Sequence, residues 1–157
     1  MAAALAIGAA GCSSDSKSAD DTPTVTAAPR SDKGTTEADL KAAATTLAAG
    51  NLQDSVDTYA YISAKCKAKF TEAQWKTNQH QITEGLRAAL PAFKDAKVGT
   101  VTVRNVTPTS GEAQIVVLDS KGAELVKPAD ASWNSWVVED GLWVTEECPA
   151  ASELAGG

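Results

Sequence analysis

The chain has 157 residues, with 14 basic against 20 acidic side chains and a formal net charge of −6. It has no basic patch interleaved with aromatic residues, so the sequence argues against a nucleic-acid partner. Two cysteines and one distant histidine do not give metal-ligand spacing once Cys12 is assigned as below, and no P-loop or dinucleotide motif predicts a cofactor. The length suffices for one domain with a single core.

The N-terminus joins a short apolar segment to a cysteine. Residues 1–11 are mostly alanine, and Cys12 follows small residues directly. The segment is far shorter than the roughly 20 residues of a membrane-spanning helix. It resembles a bacterial lipoprotein signal, which implies palmitate-type lipidation of Cys12 and anchoring at the outer face of the bacterial cytoplasmic membrane. Signal peptides normally carry positive charges before the apolar segment, and none precede it here. A start placed too late or a trimmed sequence would explain their absence. The alternative is that residues 1–12 are an alanine-rich tail with an unmodified thiol.

The polar composition of residues 12–35 predicts a disordered tether behind the lipidated cysteine. We expect one domain over residues 36–149 and a disordered tail over residues 150–157. At the start of the domain, Thr36 and Asp39 predict a helix N-cap. The alanine-rich run that follows should end at Gly50.

A second helix is predicted over residues 52–65, with Asn51 as its cap. One face has apolar and small residues at helical spacing: Leu52, Val56, Tyr59, Ala60, Ser63 and Cys66. Tyr59 should therefore point to the core. Asp54, Asp57 and Tyr61 should lie on the opposite, solvated face.

The third predicted helix opens at Thr71, which forms a capping box with Gln74, and ends near Pro91. Its predicted buried stripe consists of Trp75, Ile82, Leu86, Ala89 and Leu90. His80 falls on the polar face, where a solvated side chain is the expected role.

From Lys97 onward the pattern favours β-strands. Strands are predicted over residues 98–106, 113–118 and 123–127, and a final pair over residues 133–139 and 142–147 flanks the hairpin signal Asp140-Gly141. Three helices followed by four or five antiparallel strands predict an α+β fold, with the N-terminal helices packed on one face of a curved sheet.

Cysteine usage adds a covalent link. With Cys12 assigned to lipid, Cys66 and Cys148 remain, and such a pair in an exported domain predicts one disulfide. Two free thiols are the alternative.

The order of the elements and the tryptophan-rich hairpin over residues 135–143 resemble the NTF2-like superfamily, in particular lipid-anchored domains of high-GC Gram-positive (actinobacterial) origin. Residues 61–67 look like the helix-end motif of those domains, whose cysteine pairs with one in the last strand, here Cys148. The resemblance implies a sheet wrapped round the helices as a cone, whose mouth either binds a small molecule or is plugged. It also implies dimerisation through the outer sheet as a common mode.

The hairpin turn fixes a predicted register in which Glu139 pairs with Leu142. Strand alternation then separates two faces. If Cys148 bonds the core side of the second helix, Trp133 and Glu146 face inward and line a pocket with Tyr59 and Trp75. The opposite face carries Trp136, Val138 and Trp143, an apolar patch that suits a homodimer or protein partner; burial of one ring at a curved edge is the alternative, and a one-residue slip would exchange the faces.

These residues predict a non-enzymatic, lipid-anchored domain that binds a protein partner or a small apolar ligand. No catalytic residue is assigned, because no paired acid and base set occurs. One alternative is an isomerase or cyclase type of enzyme with Tyr59 and Glu146 in the cone. A second alternative is a structural envelope lipoprotein.

Overall fold

The computed structural model describes Arg30, residues 32–54 and residues 56–148, with residues 56 and 57 described by their backbone alone. The predicted signal segment, Cys12, most of the tether and the C-terminal tail lie outside the described residues. Their predicted roles therefore stay predictions.

The described chain is an α+β structure in which helices precede a curled antiparallel sheet, and this confirms the predicted fold class. The helical part contains α1 (Glu37–Gln53), a first 3₁₀ helix (Val56–Tyr61), α2 (Ala64–Lys67), α3 (Glu72–Ala89) and a second 3₁₀ helix (Pro91–Asp95). The sheet contains β1 (Lys97–Arg104), β2 (Ser110–Leu118), β3 (Glu124–Val126), β4 (Trp133–Glu139) and β5 (Leu142–Thr145). The strand order is β1-β2-β4-β5, with β3 paired to β2.

Helix α1 supplies one side of the main core. Its predicted capping box is confirmed, because the Thr36 side chain accepts from the Asp39 N–H and Asp39 accepts from the Thr36 N–H. Small alanines let the helix approach the sheet closely, and the shared core residues are Leu40, Ala43, Ala44, Leu47, Tyr61, Val101, Ala113, Trp136 and Trp143. A Cβ on Gly111 would lie 2.7 Å from Cδ2 of Leu40, so a larger residue there would have to displace this buried side chain.

The predicted boundary at Gly50 is wrong, and so is the single second helix. Helix α1 continues to Gln53 and ends where Asp54 adopts a left-handed conformation, with φ of 58°. Beyond it the chain forms the first 3₁₀ helix and then α2. The break has a tertiary cause: Ile62 forms a bridge to Thr145, and the Ser63 N–H donates to the Thr145 carbonyl over 3.0 Å.

This break reverses two predicted side-chain positions. Tyr61, predicted to be solvated, is buried in the main core. Tyr59, predicted to face that core, is partly buried beside a second cluster formed by Ile62, Cys66, Phe70 and Trp75, and its hydroxyl donates to the Phe70 carbonyl over 3.0 Å.

Helix α3 begins at the predicted capping box of Thr71 and Gln74, but its predicted buried stripe is largely wrong. Trp75 is buried, whereas Ile82 is 48% exposed and Leu90 is 50% exposed. The buried positions are Trp75, Asn78, Gln79 and Thr83. Polar contacts turn this face toward α1, because the Thr83 hydroxyl donates to the Asn51 carbonyl over 3.0 Å.

The register of the last hairpin is confirmed, since Glu139 pairs with Leu142 and Val137 with Val144. The assignment of its faces is wrong. Trp136 and Trp143 are each 1% exposed and belong to the core under α1, so they do not form an outer patch. Val138 is partly buried and packs against the same core. The prediction oriented the faces by Cys148, but β5 ends at Thr145, and alternation cannot be extended to Cys148.

Trp133, which was predicted to point inward, therefore lies on the outer face of β4. Trp133 lies beneath the guanidinium of Arg104, whose carbon is 3.9 Å from the ring centroid. Arg104 in turn pairs with Glu112 across β1 and β2 over 2.9 Å. The pKa of Glu112 is lowered by the hydrogen bond from Arg104 and then by that from Asn105. This part of the outer face is polar.

The predicted disulfide joins Cys66 of α2 to Cys148. Cys66 is fully buried in the second cluster, and Cys148 packs against that cluster. The bridge therefore ties the segment after β5 to the helical layer.

Candidate ligand cavity

A cavity of about 470 Å³ lies between the helices and the inner face of the sheet. Its wall comes from α1, α3, β2, β4 and β5 and from the segment after β5. The apolar lining consists of Leu47, Ala48, Leu52, Ile62, Trp75, Ile115, Val117, Trp136 and Cys148, and the polar lining consists of Asn51, Gln79, Asn134, Thr145 and Glu147. A volume of this size and a mainly apolar wall with a few polar groups are typical of small-molecule sites.

The predicted pocket residues are only partly brought together. Trp75 lines the cavity, with its indole N–H donating to the Thr58 hydroxyl over 3.0 Å. Trp133, Tyr59 and Glu146 are not among the lining residues. Trp133 is on the outer face of β4, Tyr59 lies behind the wall near Phe70, and Glu146 follows β5 with its carbonyl toward the disulfide sulfurs.

Glu147 is the acid that lines the cavity, one residue beyond the predicted position. Its carboxylate accepts from the Ser135 N–H over 3.3 Å, and its own N–H donates to the Thr145 hydroxyl over 3.1 Å. The residue is exposed. Among the described lining residues it is the one ionisable side chain, apart from the disulfide-bonded Cys148. The described wall therefore contains one carboxylate and no second ionisable group to pair with it as acid and base.

Two wall residues have buried polar atoms that lack a partner among the described residues. These atoms are the indole nitrogen of Trp136 and Oδ1 of Asn51. Buried polar atoms in native proteins are normally hydrogen-bonded. The indole N–H of Trp136 and the amide oxygen of Asn51 are thus an unsatisfied donor and acceptor within the packed wall.

The segment before α1 closes one edge of the domain. The guanidinium of Arg30 donates to the Trp143 carbonyl over 2.8 Å, lies 3.6 Å from the Tyr61 ring centroid and pairs with Asp32 over 2.7 Å. The hydrogen bond from Arg30 lowers the pKa of Asp32. The Arg30 side chain is only 6% exposed, so the packed structure includes a residue that the sequence places in the tether.

The contact between Asp54 and His80 joins the C-terminal end of α1 to the middle of α3 near the cavity. Nδ1 of His80 lies 2.6 Å from Oδ2 of Asp54, and the hydrogen bond to Asp54 raises the pKa of His80. Gln79, the neighbour of His80, lines the cavity. His80 thus has a pairing role that its position on the polar face did not reveal.

Replacing Asp54 with asparagine is expected to bring the pKa of His80 back down toward its ordinary value. Because the raised pKa belongs to the folded state, the pair stabilises the protein fully below the unfolded pKa, and that contribution is lost as pH rises through the folded pKa. An NMR titration measures this directly, since His80 is the only histidine. Asparagine tolerates the left-handed conformation of residue 54. An unchanged midpoint in this variant would contradict the assigned cause.

In the part of the chain that is described, no group of three His, Cys, Asp or Glu side chains is arranged to hold a metal ion. None of the described helices is both long and apolar enough to cross a bilayer.

The fold and the cavity define a class: an α+β domain in which helices cover a curled antiparallel sheet and enclose a mixed apolar and polar cavity. No family model matches the sequence, and no curated protein matches it. One solved structure that matches is the 2.00 Å crystal structure of a provisionally named NTF2-like transpeptidase from Campylobacter jejuni. It has a TM-score of 0.43 and 13% sequence identity, and the match covers 66% of this chain and 94% of that one.

The sequence did not predict three parts of the cavity wall: Asn134, Glu147 and the end of α1. Asn134 alternates with Trp136 on the same face of β4, so treating that tryptophan face as core would have placed Asn134 in the wall. Glu147 lies beyond the end of β5, where alternation gives no position. For Asn51 and Leu52 the signal was the helical spacing of α1, obscured by the expectation that this helix stops at Gly50.

Proposed function

We propose that this protein binds a small, mainly apolar molecule in the cavity without converting it chemically. We further propose that it is an NTF2-like domain held at the outer face of a bacterial cytoplasmic membrane by lipid on Cys12. The observation that carries the binding proposal is the 470 Å³ cavity with its apolar wall and few polar groups.

Two features favour binding over catalysis. Tyr59 and Glu146, on which an enzymatic site would have depended, do not line the cavity. The carboxylate that does line it, that of Glu147, is exposed and already accepts a hydrogen bond from a backbone N–H.

A protein partner on the Trp136 and Trp143 face loses its basis, because both rings are buried in the core.

Filling the cavity tests the binding proposal. Ala48 lines the cavity on α1, so Ala48→Phe should place a ring in that space and weaken binding of Nile red, an uncharged apolar fluorophore, by roughly tenfold or more, as expected when ligand and ring compete for one apolar volume. Ala42→Phe is the matched control, because Ala42 is an exposed residue of the same helix. Fluorescence titration gives both affinities. Equal binding by the wild type and both variants would place the probe elsewhere and contradict the proposal.

The anchoring proposal has a separate test. Expressed in a Gram-positive host behind a complete signal, the wild-type chain should partition with membranes, and Cys12→Ser should appear in the soluble fraction because stable anchoring requires the acyl chains. Metabolic labelling with an alkyne fatty acid reports the modification itself. A labelled or membrane-bound Cys12→Ser protein would exclude Cys12 as the lipid attachment site.

A further inference from the structure

A second, smaller recess, here called the outer recess, lies next to the main cavity. It measures about 230 Å³ and is lined by Asn51, Leu52, Gln79, Ile82, Thr83, Leu86, Arg87 and Phe93. Asn51, Leu52 and Gln79 line both this outer recess and the main cavity. The two spaces therefore adjoin along these three residues, near the end of α1.

The outer recess is apolar along α3, where Ile82 and Leu86 are exposed. Exposed large side chains at helical spacing leave an apolar strip uncovered beside the recess. Covering this strip with an apolar group would be favourable in water. The cation at the end of this strip indicates what kind of molecule would do so.

Arg87 has N–H donors that its contacts with described residues leave unused. One terminal nitrogen donates to Glu84 over 2.9 Å and the other to the Leu52 carbonyl over 2.8 Å, and each of these two nitrogens carries a second N–H. An arginine carries five N–H donors in a planar fork that suits carboxylate and phosphate oxygens. Glu84 is 55% exposed, so solvent screens its pairing with Arg87.

We infer that the outer recess binds the acidic head group of a single-chain amphiphile whose apolar chain occupies the main cavity. This inference rests on the proposed function and specifies its ligand class. The apolar lining accommodates the chain, the shared residues Asn51 and Gln79 lie where chain and head group meet, and Arg87 pairs with the anionic oxygens. The Leu52 carbonyl holds Arg87 in place for this contact.

The test compares myristate, myristyl phosphate and myristyl alcohol as competitors of Nile red on the full chain. Charge-assisted hydrogen bonds predict that an acidic amphiphile binds about tenfold or more tightly than the alcohol. Preference for myristate over the phosphate, or the reverse, distinguishes the two kinds of head group. The comparison uses the wild-type protein, so it does not depend on the folding of any variant.

Variants then assign the preference to Arg87. Arg87→Gln should remove the roughly tenfold advantage of the acids over the alcohol, and Arg87→Lys should restore part of it. Glu84→Gln should strengthen acid binding, because it removes the competing carboxylate. Lys76→Gln is the matched control, since Lys76 is on the same helix, is not in the recess lining and pairs with Glu72 over 2.6 Å.

The outcomes separate the two levels of the argument. Equal affinity of acid and alcohol on the wild type would overturn the head-group site and leave the cavity proposal standing. Failure of Nile red and all three amphiphiles to bind would overturn both. An acid preference that persists unchanged in folded Arg87→Gln would also overturn the assignment to Arg87.

Discussion

Replacing both bridge cysteines with alanine is expected to lower the free energy of unfolding by about 2–5 kcal/mol. The bridge joins positions 82 residues apart, and the chain-entropy model gives roughly 4.5 kcal/mol for a loop of that length. The loss should be large because the bridge also closes the domain: Cys66 is buried in the second cluster, and Cys148 lines the cavity. Urea denaturation followed by circular dichroism measures the difference.

The control for this prediction is Cys12→Ser, which removes a thiol that the bridge does not use and should leave the unfolding curve in place. The reduced wild-type protein should reproduce the double variant. A loss below about 1 kcal/mol in both would mean that the helical layer holds the segment after β5 without the bridge. Nile red binding by the folded fraction shows whether the cavity survives without it.

Trp136→Ala is expected to destabilise the fold by about 3–5 kcal/mol, the usual cost of deleting a large aromatic side chain from a packed core. Trp136 is 1% exposed and packs with Trp143 beneath α1. Because its ring also lines the cavity, Nile red affinity should change in whatever fraction of the variant remains folded. Thermal and urea unfolding report the stability.

Trp133→Ala provides the comparison, since it removes the same side chain from the same strand on the opposite face. The ring there is partly exposed and stacked under Arg104, so a loss of about 1 kcal/mol is expected. If Trp136→Ala were instead nearly neutral and altered the oligomeric state, the tryptophan pair would be a surface. Similar losses for both variants would contradict the assignment of the two faces.

Much of the local structure could be predicted because its causes are local. The side chains of Thr36 and Thr71 cap helices within a single turn, and both capping boxes form as expected. Asp140 and Gly141 both adopt positive φ, as a two-residue hairpin requires, and this fixed the strand register. The disulfide was predictable by counting: with Cys12 assigned to lipid, Cys66 and Cys148 remain and allow a single pairing.

The candidate site was only partly predictable because it depends on contacts between distant segments. Which face of a hairpin is buried depends on what packs against it, and α1 lies about 100 positions earlier in the chain. Orienting the faces by Cys148 failed because regular alternation ends with β5 at Thr145. The prediction therefore placed Trp133 and Glu146 in the cavity wall, whereas Trp136 and Glu147 line it in the structure.

Sequence by itself determined the α+β class, the caps, the hairpin register and the pairing of Cys66 with Cys148, since turn chemistry, capping and cysteine number act over short distances or few choices. Only the tertiary structure decided where α1 ends, which tryptophans are buried and which acid borders the cavity. Those outcomes depend on side chains from several elements competing for one core. Examples are the bridge between Ile62 and β5, the hydrogen bond from Thr83 to α1 and the hydrogen bond from Arg30 to the Trp143 carbonyl. The local sequence around either partner does not predict these contacts.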